Sequence, residues 1–215
     1  MLTVAVIARK GGAGKTTLAL HLAVEVAKSG PVVLIDTDLQ ASTAQWADSR
    51  RVAQPKVLAC PAVDLTHALQ NARQSGAHVT FIDTAPAVGT LALTAARAAD
   101  FCLIVSRPGI LDLQSIGINV QIAKLAGKPV ALIMNAAPPR DGQAVAAGEH
   151  AGNDYGVELC PTVIHQRAVF SHALARSQCA QEVEPTSKAA SEIAALWDWL
   201  AHRTGLASSP LRLSA

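Results

Sequence analysis

The segment Lys10-Gly11-Gly12-Ala13-Gly14-Lys15-Thr16-Thr17 sets two lysines around a run of small residues. Gly12 to Thr16 let consecutive backbone N–H groups curl around a phosphate. Lys15 adds a point charge for the β- and γ-oxygens, and the Thr16 hydroxyl is a hard oxygen ligand for Mg²⁺. Lys10 is needed for none of these tasks. A second lysine at the mouth of such a loop suggests that another nucleotide meets it, and so points to a dimer.

Two further segments end in carboxylates. Val33-Leu34-Ile35-Asp36-Thr37-Asp38 closes an apolar run with two acids, and Thr80-Phe81-Ile82-Asp83 closes another with one. Beside a phosphate loop, Asp36 takes a place in the metal's water shell, Asp38 orients an attacking water, and Asp83 holds Mg²⁺ through water. Phosphoryl transfer has a loose transition state, so placement and charge matter more than base strength. Taken alone, Asp36 and Asp38 also read as a turn that caps the helix after Gln40.

The elements that must hold these residues show in the periodicity. Apolar, β-branched runs predict strands at Val4–Ala8, Val32–Asp36, Lys56–Ala59, Val79–Asp83, Phe101–Ser106, Val130–Asn135 and, more weakly, Leu159–Ile164. Helical spacing predicts helices near Thr16–Ser29, Ser42–Arg51, Leu65–Ser75, Thr90–Ala98, Leu111–Ala126 and Gly142–Tyr155. The alternation is that of a doubly wound, mostly parallel α/β sheet flanked by helices, with ligands at the carboxyl ends of the strands. Asp36, Asp83 and Asn135 all fall at such ends. One domain over residues 1–204 and a frayed tail over 205–215 are expected.

Composition narrows the class. Of 215 residues, half are hydrophobic but only 3% aromatic, which suits alanine-rich helices packed close to a sheet. The formal charge of +2 permits contact with nucleic acid without requiring it. Cys60, Cys102, Cys160 and Cys179 are too scattered for a zinc site or a disulfide framework, and read as reduced thiols of a cytoplasmic protein. No stretch approaches a membrane span, and no signal peptide opens the chain.

With these segments in place, the chain resembles the ParA/MinD-type ATPases, the deviant Walker A group of P-loop NTPases. Their loop KGGxGK[ST][ST] is matched in full by Lys10 to Thr17, their switch segment by Asp36-Thr37-Asp38-Leu39-Gln40, and their Walker B segment by Ile82-Asp83-Thr84-Ala85-Pro86. Later landmarks are Arg107-Pro108 with Asp112-Leu113, Asn135, and the stretch Ile164–Glu184 with Arg167, Ala173 and Val183. The resemblance implies a slow, Mg²⁺-dependent, partner-stimulated ATPase. Lys15 contacts the β/γ-phosphates, Thr16 binds Mg²⁺, Thr17 reaches the α-phosphate and Asp38 positions the hydrolytic water. Lys10 reaches across a nucleotide-sandwich homodimer to the partner's ATP. Asn135 reads adenine, and a segment from Pro161 wraps the base. Leu39 stands where Pro is usual, Arg9 where Gln or Asn is commoner, and Ser106 where Pro is common.

The loop begins ten residues into the chain, which leaves no room for a preceding helix-turn-helix. The resemblance is therefore to short members that bind DNA nonspecifically as ATP-bound dimers and lie on the nucleoid. Arg167, Arg176 and Lys188 match the basic region, followed by Arg140 and Lys124. Such proteins move a plasmid, a chromosome locus or a protein assembly, and answer to a ParB-like or other adaptor. Alternatives on the same scaffold are a dethiobiotin-synthetase-like ligase, a MinD-like membrane-associated ATPase, and an iron–sulfur carrier. Lys10 and the Asp36/Asp38 pair argue against the ligase, and the cysteine placement against the carrier. Ala189, Ala190, Ile193, Leu196, Trp197 and Leu200 form an apolar helical face that reads as packed on the domain rather than on a membrane.

Overall fold

The computed structural model describes residues 1–38, 42–85, 89–139 and 142–206. Leu39 and Gln40 of the switch segment, Pro86, Arg140 and the tail from 207 onward lie outside the described residues.

Seven strands form one parallel sheet: β1 (Leu2–Ile7), β2 (Val32–Asp36), β3 (Lys56–Ala59), β4 (Val79–Asp83), β5 (Phe101–Ser106), β6 (Val130–Ala137) and β7 (Glu158–His165), in the order β3-β2-β4-β1-β5-β6-β7. The middle strands are buried along their whole length, as their unbroken apolar runs require. Successive residues serve opposite faces. Val4 and Val6 join one core layer with Leu34, Phe81 and Leu103, while Ala5 and Ile7 join the other with Ile35, Ile82 and Ile104.

On the first face lie α1 (Lys15–Val26), α2 (Ser42–Asp48), α8 (Ala168–Leu174), α9 (Ala180–Val183) and α10 (Lys188–Arg203). On the second lie α3 (Leu65–Gln74), α4 (Thr90–Ala98), α6 (Ile116–Leu125) and α7 (Gln143–Tyr155). Small residues permit the close approach. At Gly148, a Cβ would run into the Met134 and Leu159 side chains. The apolar face of α10 is spent inside the domain, where Ile193, Leu196 and Leu200 are fully buried and Trp197 meets Phe81 edge-on at 6.4 Å. Among the described residues, no helix is long and apolar enough to cross a membrane.

One predicted helix is broken. Leu111–Ala126 divides into α5 (Ile110–Leu113) and α6 at Gln114–Ser115, where the Ser115 N–H and hydroxyl both bond the Asp112 carbonyl, at 3.0 and 2.7 Å, in an i→i−3 turn. Two short helices, α8 and α9, are too brief to show a helical period in the sequence. At the other end of the chain, Leu206 still packs on the core, beyond the expected boundary at 204.

Candidate functional site: a phosphate loop at the switch point of the sheet

Chain direction across the sheet reverses at β1, where α1 leads to β2 on one side while β5 lies on the other. The loop from Lys10 to Gly14 leaves this strand and enters α1 there, the position where doubly wound sheets bind ligands. Gly12 (φ 77°) and Gly14 (φ 90°) both take the left-handed conformation, which glycine adopts without strain. Gly14 is also the N-terminal cap residue of α1, and a Cβ there would strike the Asn135 amide.

Lys15 is buried although it carries an ammonium group. Burial lowers its pKa, opposed by the carboxylates of Asp83 and Asp38, which therefore lie near enough to act on it. Asp36 and Asp83 are register partners on β2 and β4, so strand pairing alone sets two carboxylates side by side. Their environments then separate them. Asp36 accepts the Asp38 N–H at 2.9 Å on Oδ1, and the Thr43 N–H and hydroxyl at 3.2 and 2.6 Å on Oδ2. It clamps the turn that bears Asp38 to the start of α2. Asp83 is 1% exposed, and its Oδ1 has no hydrogen-bond partner among the described residues. Burial pushes its pKa up to about 7; the Thr16 hydroxyl and Lys15 pull it down, while Asp36 and Asp38 push it further up. A buried, unsatisfied carboxylate oxygen beside the Thr16 hydroxyl offers hard oxygens that a hydrated divalent cation would satisfy, with Lys15 left for phosphate.

Lys10 lies at the half-exposed mouth of the loop, with its Nζ 3.6 Å from Asp112 Oδ2 of α5. Next to that pair, Ile110 and Leu111 are 72% and 64% exposed.

A cavity of about 260 Å³ adjoins the loop, lined by Gly14, Thr17, Arg107, Asn135, Ile164 to Arg167 and Phe170. The Asn135 amide donates to the Ala13 carbonyl at 2.7 Å. That acceptor fixes which end of the amide is Nδ2, leaving Oδ1 for a base. Ala136, with φ 51°, turns the chain just beyond it.

Two expected site residues stand apart from the rest. Pro161 does not line the cavity. It is exposed in the irregular middle of edge strand β7, where pairing passes from Leu132↔Leu159 to Met134↔Val163 and a residue without an N–H is tolerated. The lining contributed by this segment begins at Ile164. Arg167 is ion-paired within the protein. Its Nη2 donates to Glu192 Oε1 at 2.6 Å, and it lines the cavity beside the loop. Glu192 also accepts from the His165 backbone and ring, and although burial pushes its pKa up, Arg167 and His165 hold it below the usual value. Of the other basic candidates, Arg176 and Lys188 are exposed, and Lys124 donates to the Tyr155 carbonyl at 3.3 Å.

Some functional-looking residues escaped the sequence. His21 of α1 is fully buried, its Nδ1 2.7 Å from the Thr17 carbonyl and its Nε2 accepting the Ala180 N–H at 3.0 Å. The second bond leaves the proton on Nδ1, and burial lowers the pKa to about 4. A histidine on the apolar face of a helix was the available signal, because a buried polar group needs partners. All four cysteines are free thiols.

Fold and site together define a phosphate-loop nucleotide-binding protein of the doubly wound α/β class. The profile of the CobQ/CobB/MinD/ParA nucleotide binding domain matches residues 4–178, and the chain belongs to that family. It is 35% identical over 148 residues to the maintenance of carboxysome distribution protein A of Gloeobacter kilaueensis, covering 67% of this chain and 68% of that protein. The protein of the same name from Halothiobacillus neapolitanus is 29% identical over 184 residues, covering 80% and 83%. Among solved structures, the septum site-determining protein MinD from Pyrococcus horikoshii, complexed with Mg-ADP, superposes with a TM-score of 0.74 at 18% identity, covering 95% of this chain and 98% of that one.

Proposed function

We propose that this chain is a Mg²⁺-dependent ATPase that forms a nucleotide-sandwich homodimer with ATP and positions an intracellular cargo. The supporting observation is the loop itself. One lysine, Lys15, is buried against two carboxylates where phosphates bind, and a second, Lys10, stands outside with no task in its own site.

Gly11, Gly12, Ala13 and Gly14 present backbone N–H groups, Lys15 neutralises β- and γ-oxygens, and Thr17 reaches the α-phosphate. Thr16 and Asp83 hold the metal, Asp83 through water at its unsatisfied Oδ1. Bound Mg²⁺ supplies charge neutralisation at the phosphates. Asp36 serves by holding the turn, so that the Asp38 carboxylate orients the attacking water. Asn135 Oδ1 accepts from the exocyclic amine of adenine, and Lys10 enters the partner's site.

The ATP-bound dimer binds DNA nonspecifically, lies on the nucleoid, and is released when an adaptor stimulates hydrolysis. The two relatives named for carboxysome distribution favour a protein assembly as cargo over a plasmid or chromosome locus. Light scattering with no nucleotide, ADP and ATP tests the switch. The wild type dimerises with ATP alone, Asp38→Ala stays dimeric without turning ATP over, and Lys10→Ala remains monomeric. Normal ATP-dependent dimerisation of Lys10→Ala would overturn the reading.

A further inference from the structure

Helix α2 has only 7 residues, too few to hold a place by itself, so its position depends on what grips its two ends. At the start, Asp36 Oδ2 accepts the Thr43 N–H and hydroxyl, while Oδ1 of the same carboxylate accepts the Asp38 N–H. A shift of α2 is therefore felt directly by the turn that bears Asp38. Just past the other end stands Arg50, whose side chain is 4% exposed. It bonds both carboxylate oxygens of Glu182, at 2.9 and 2.6 Å, and donates to the Ser177 and Gln54 carbonyls at 3.0 and 3.1 Å. Its guanidinium lies 4.6 Å over the ring of Trp46, which packs α2 on the core.

The far side of this anchor is tied to the phosphate loop. Ser177, whose carbonyl Arg50 takes, has a left-handed φ of 54°, uncommon for a residue with a side chain. Glu182 Oε2 also accepts the Cys179 N–H at 2.8 Å and so caps α9. The next N–H, of Ala180, goes to His21 Nε2, and Gln181 Nε2 donates to the His21 carbonyl at 2.7 Å. His21 Nδ1 in turn donates to the Thr17 carbonyl. One connected set of contacts thus runs from the first turn of α1, through α9 and Arg50, to the turn of Asp38. A buried ion pair adds little net stability, because desolvation offsets its attraction; what it supplies is a defined geometry.

We infer that Arg50 and Glu182 are positioning residues for ATP hydrolysis: their pair holds α2, and through it the Asp38 turn, in register with the phosphate loop. The inference rests on the role proposed above for Asp38 and adds the buried pair that sets its place. The test measures kcat and KM for Mg-ATP hydrolysis by the full chain, with ATP affinity by calorimetry. Arg50→Ala should lower kcat by about ten-fold or more, as misplacement from a site remote from the chemistry does, while ATP affinity stays within about two-fold of the wild type. Arg50→Lys keeps the charge but cannot reach Glu182, Ser177 and Gln54 together. It should lose several-fold in kcat, and it carries the test if the alanine variant does not fold. Val120→Ala truncates a buried side chain on the opposite face of the sheet; it should lower the melting temperature and leave kcat as in the wild type. Wild-type kcat in Arg50→Ala, or in Arg50→Lys where alanine does not fold, would overturn the positioning role and leave the ATPase reading intact. An equal fall in Val120→Ala, or a loss of ATP affinity in step with kcat, would do the same. A wild type without ATP turnover, or full turnover in Asp38→Ala, would overturn the reading beneath it.

Discussion

Within one protomer, Lys10 Nζ stands 3.6 Å from Asp112 Oδ2, so the lysine proposed to cross a dimer is held at home by a carboxylate of α5. Reaching a partner's phosphates requires leaving that pair. In the proposed dimer the contact would therefore act as a brake that ATP has to overcome.

Asp112→Asn should accordingly lower the ATP concentration at which the dimer forms. An exposed pair contributes at most about 1 kcal/mol. Two are broken per dimer, so the dimerisation constant should rise by up to roughly thirty-fold. Light scattering across an ATP titration measures this, and an unshifted midpoint would mean that the pair is no brake.

Asp83 makes a prediction of opposite sign for stability and activity. Its folded pKa, about 7, lies above the ordinary carboxylate value of 3.8, so its ionisation disfavours the fold increasingly as pH rises between those values. Asp83→Asn should raise the melting temperature of the nucleotide-free protein at pH 8, by about 2–4 °C for each kcal/mol of relieved charge burial. Near pH 4 the difference should vanish. Mg²⁺-dependent hydrolysis should be lost in the same variant, and retention of full turnover would remove Asp83 from the metal site.

His21 predicts an acid limit. Its pKa is lowered from 6.5 to about 4, so below pH 6.5 the unfolded chain takes up a proton that the folded chain refuses. Stability should fall as pH drops through that window, by roughly 3 kcal/mol at pH 4. Urea unfolding at pH 7, 6 and 5 should show His21→Gln losing about one proton less than the wild type. Parallel curves would place the proton uptake elsewhere.

Arg167 now separates two roles. Tied to Glu192 beside the cavity proposed to take the base, it should affect nucleotide more than DNA. Arg167→Ala should weaken ATP binding several-fold, measured by calorimetry, while leaving the salt slope of DNA binding unchanged. The reverse pattern would restore it to the DNA surface.

The sequence by itself determined the strands, the phosphate loop and the ends at which Asp36 and Asp83 stand. These features depend on neighbours in the chain: continuous apolar runs make buried strands, and small residues before a helix make an anion cradle. The division of α5 from α6 was hidden, because one i→i−3 turn at Ser115 leaves the helical spacing on either side nearly in phase. Only the tertiary structure decided how like residues part in role. Asp36 is satisfied by its own loop while Asp83 is left with a bare oxygen. Arg167 turns inward to Glu192 while Arg176 stays outside, and His21 meets Ala180 across 159 positions of sequence. The physical reason is that a charge or hydrogen bond takes its value from burial and partners. Partners that are distant in the chain are set by the packing of helices on the sheet, which no local pattern records.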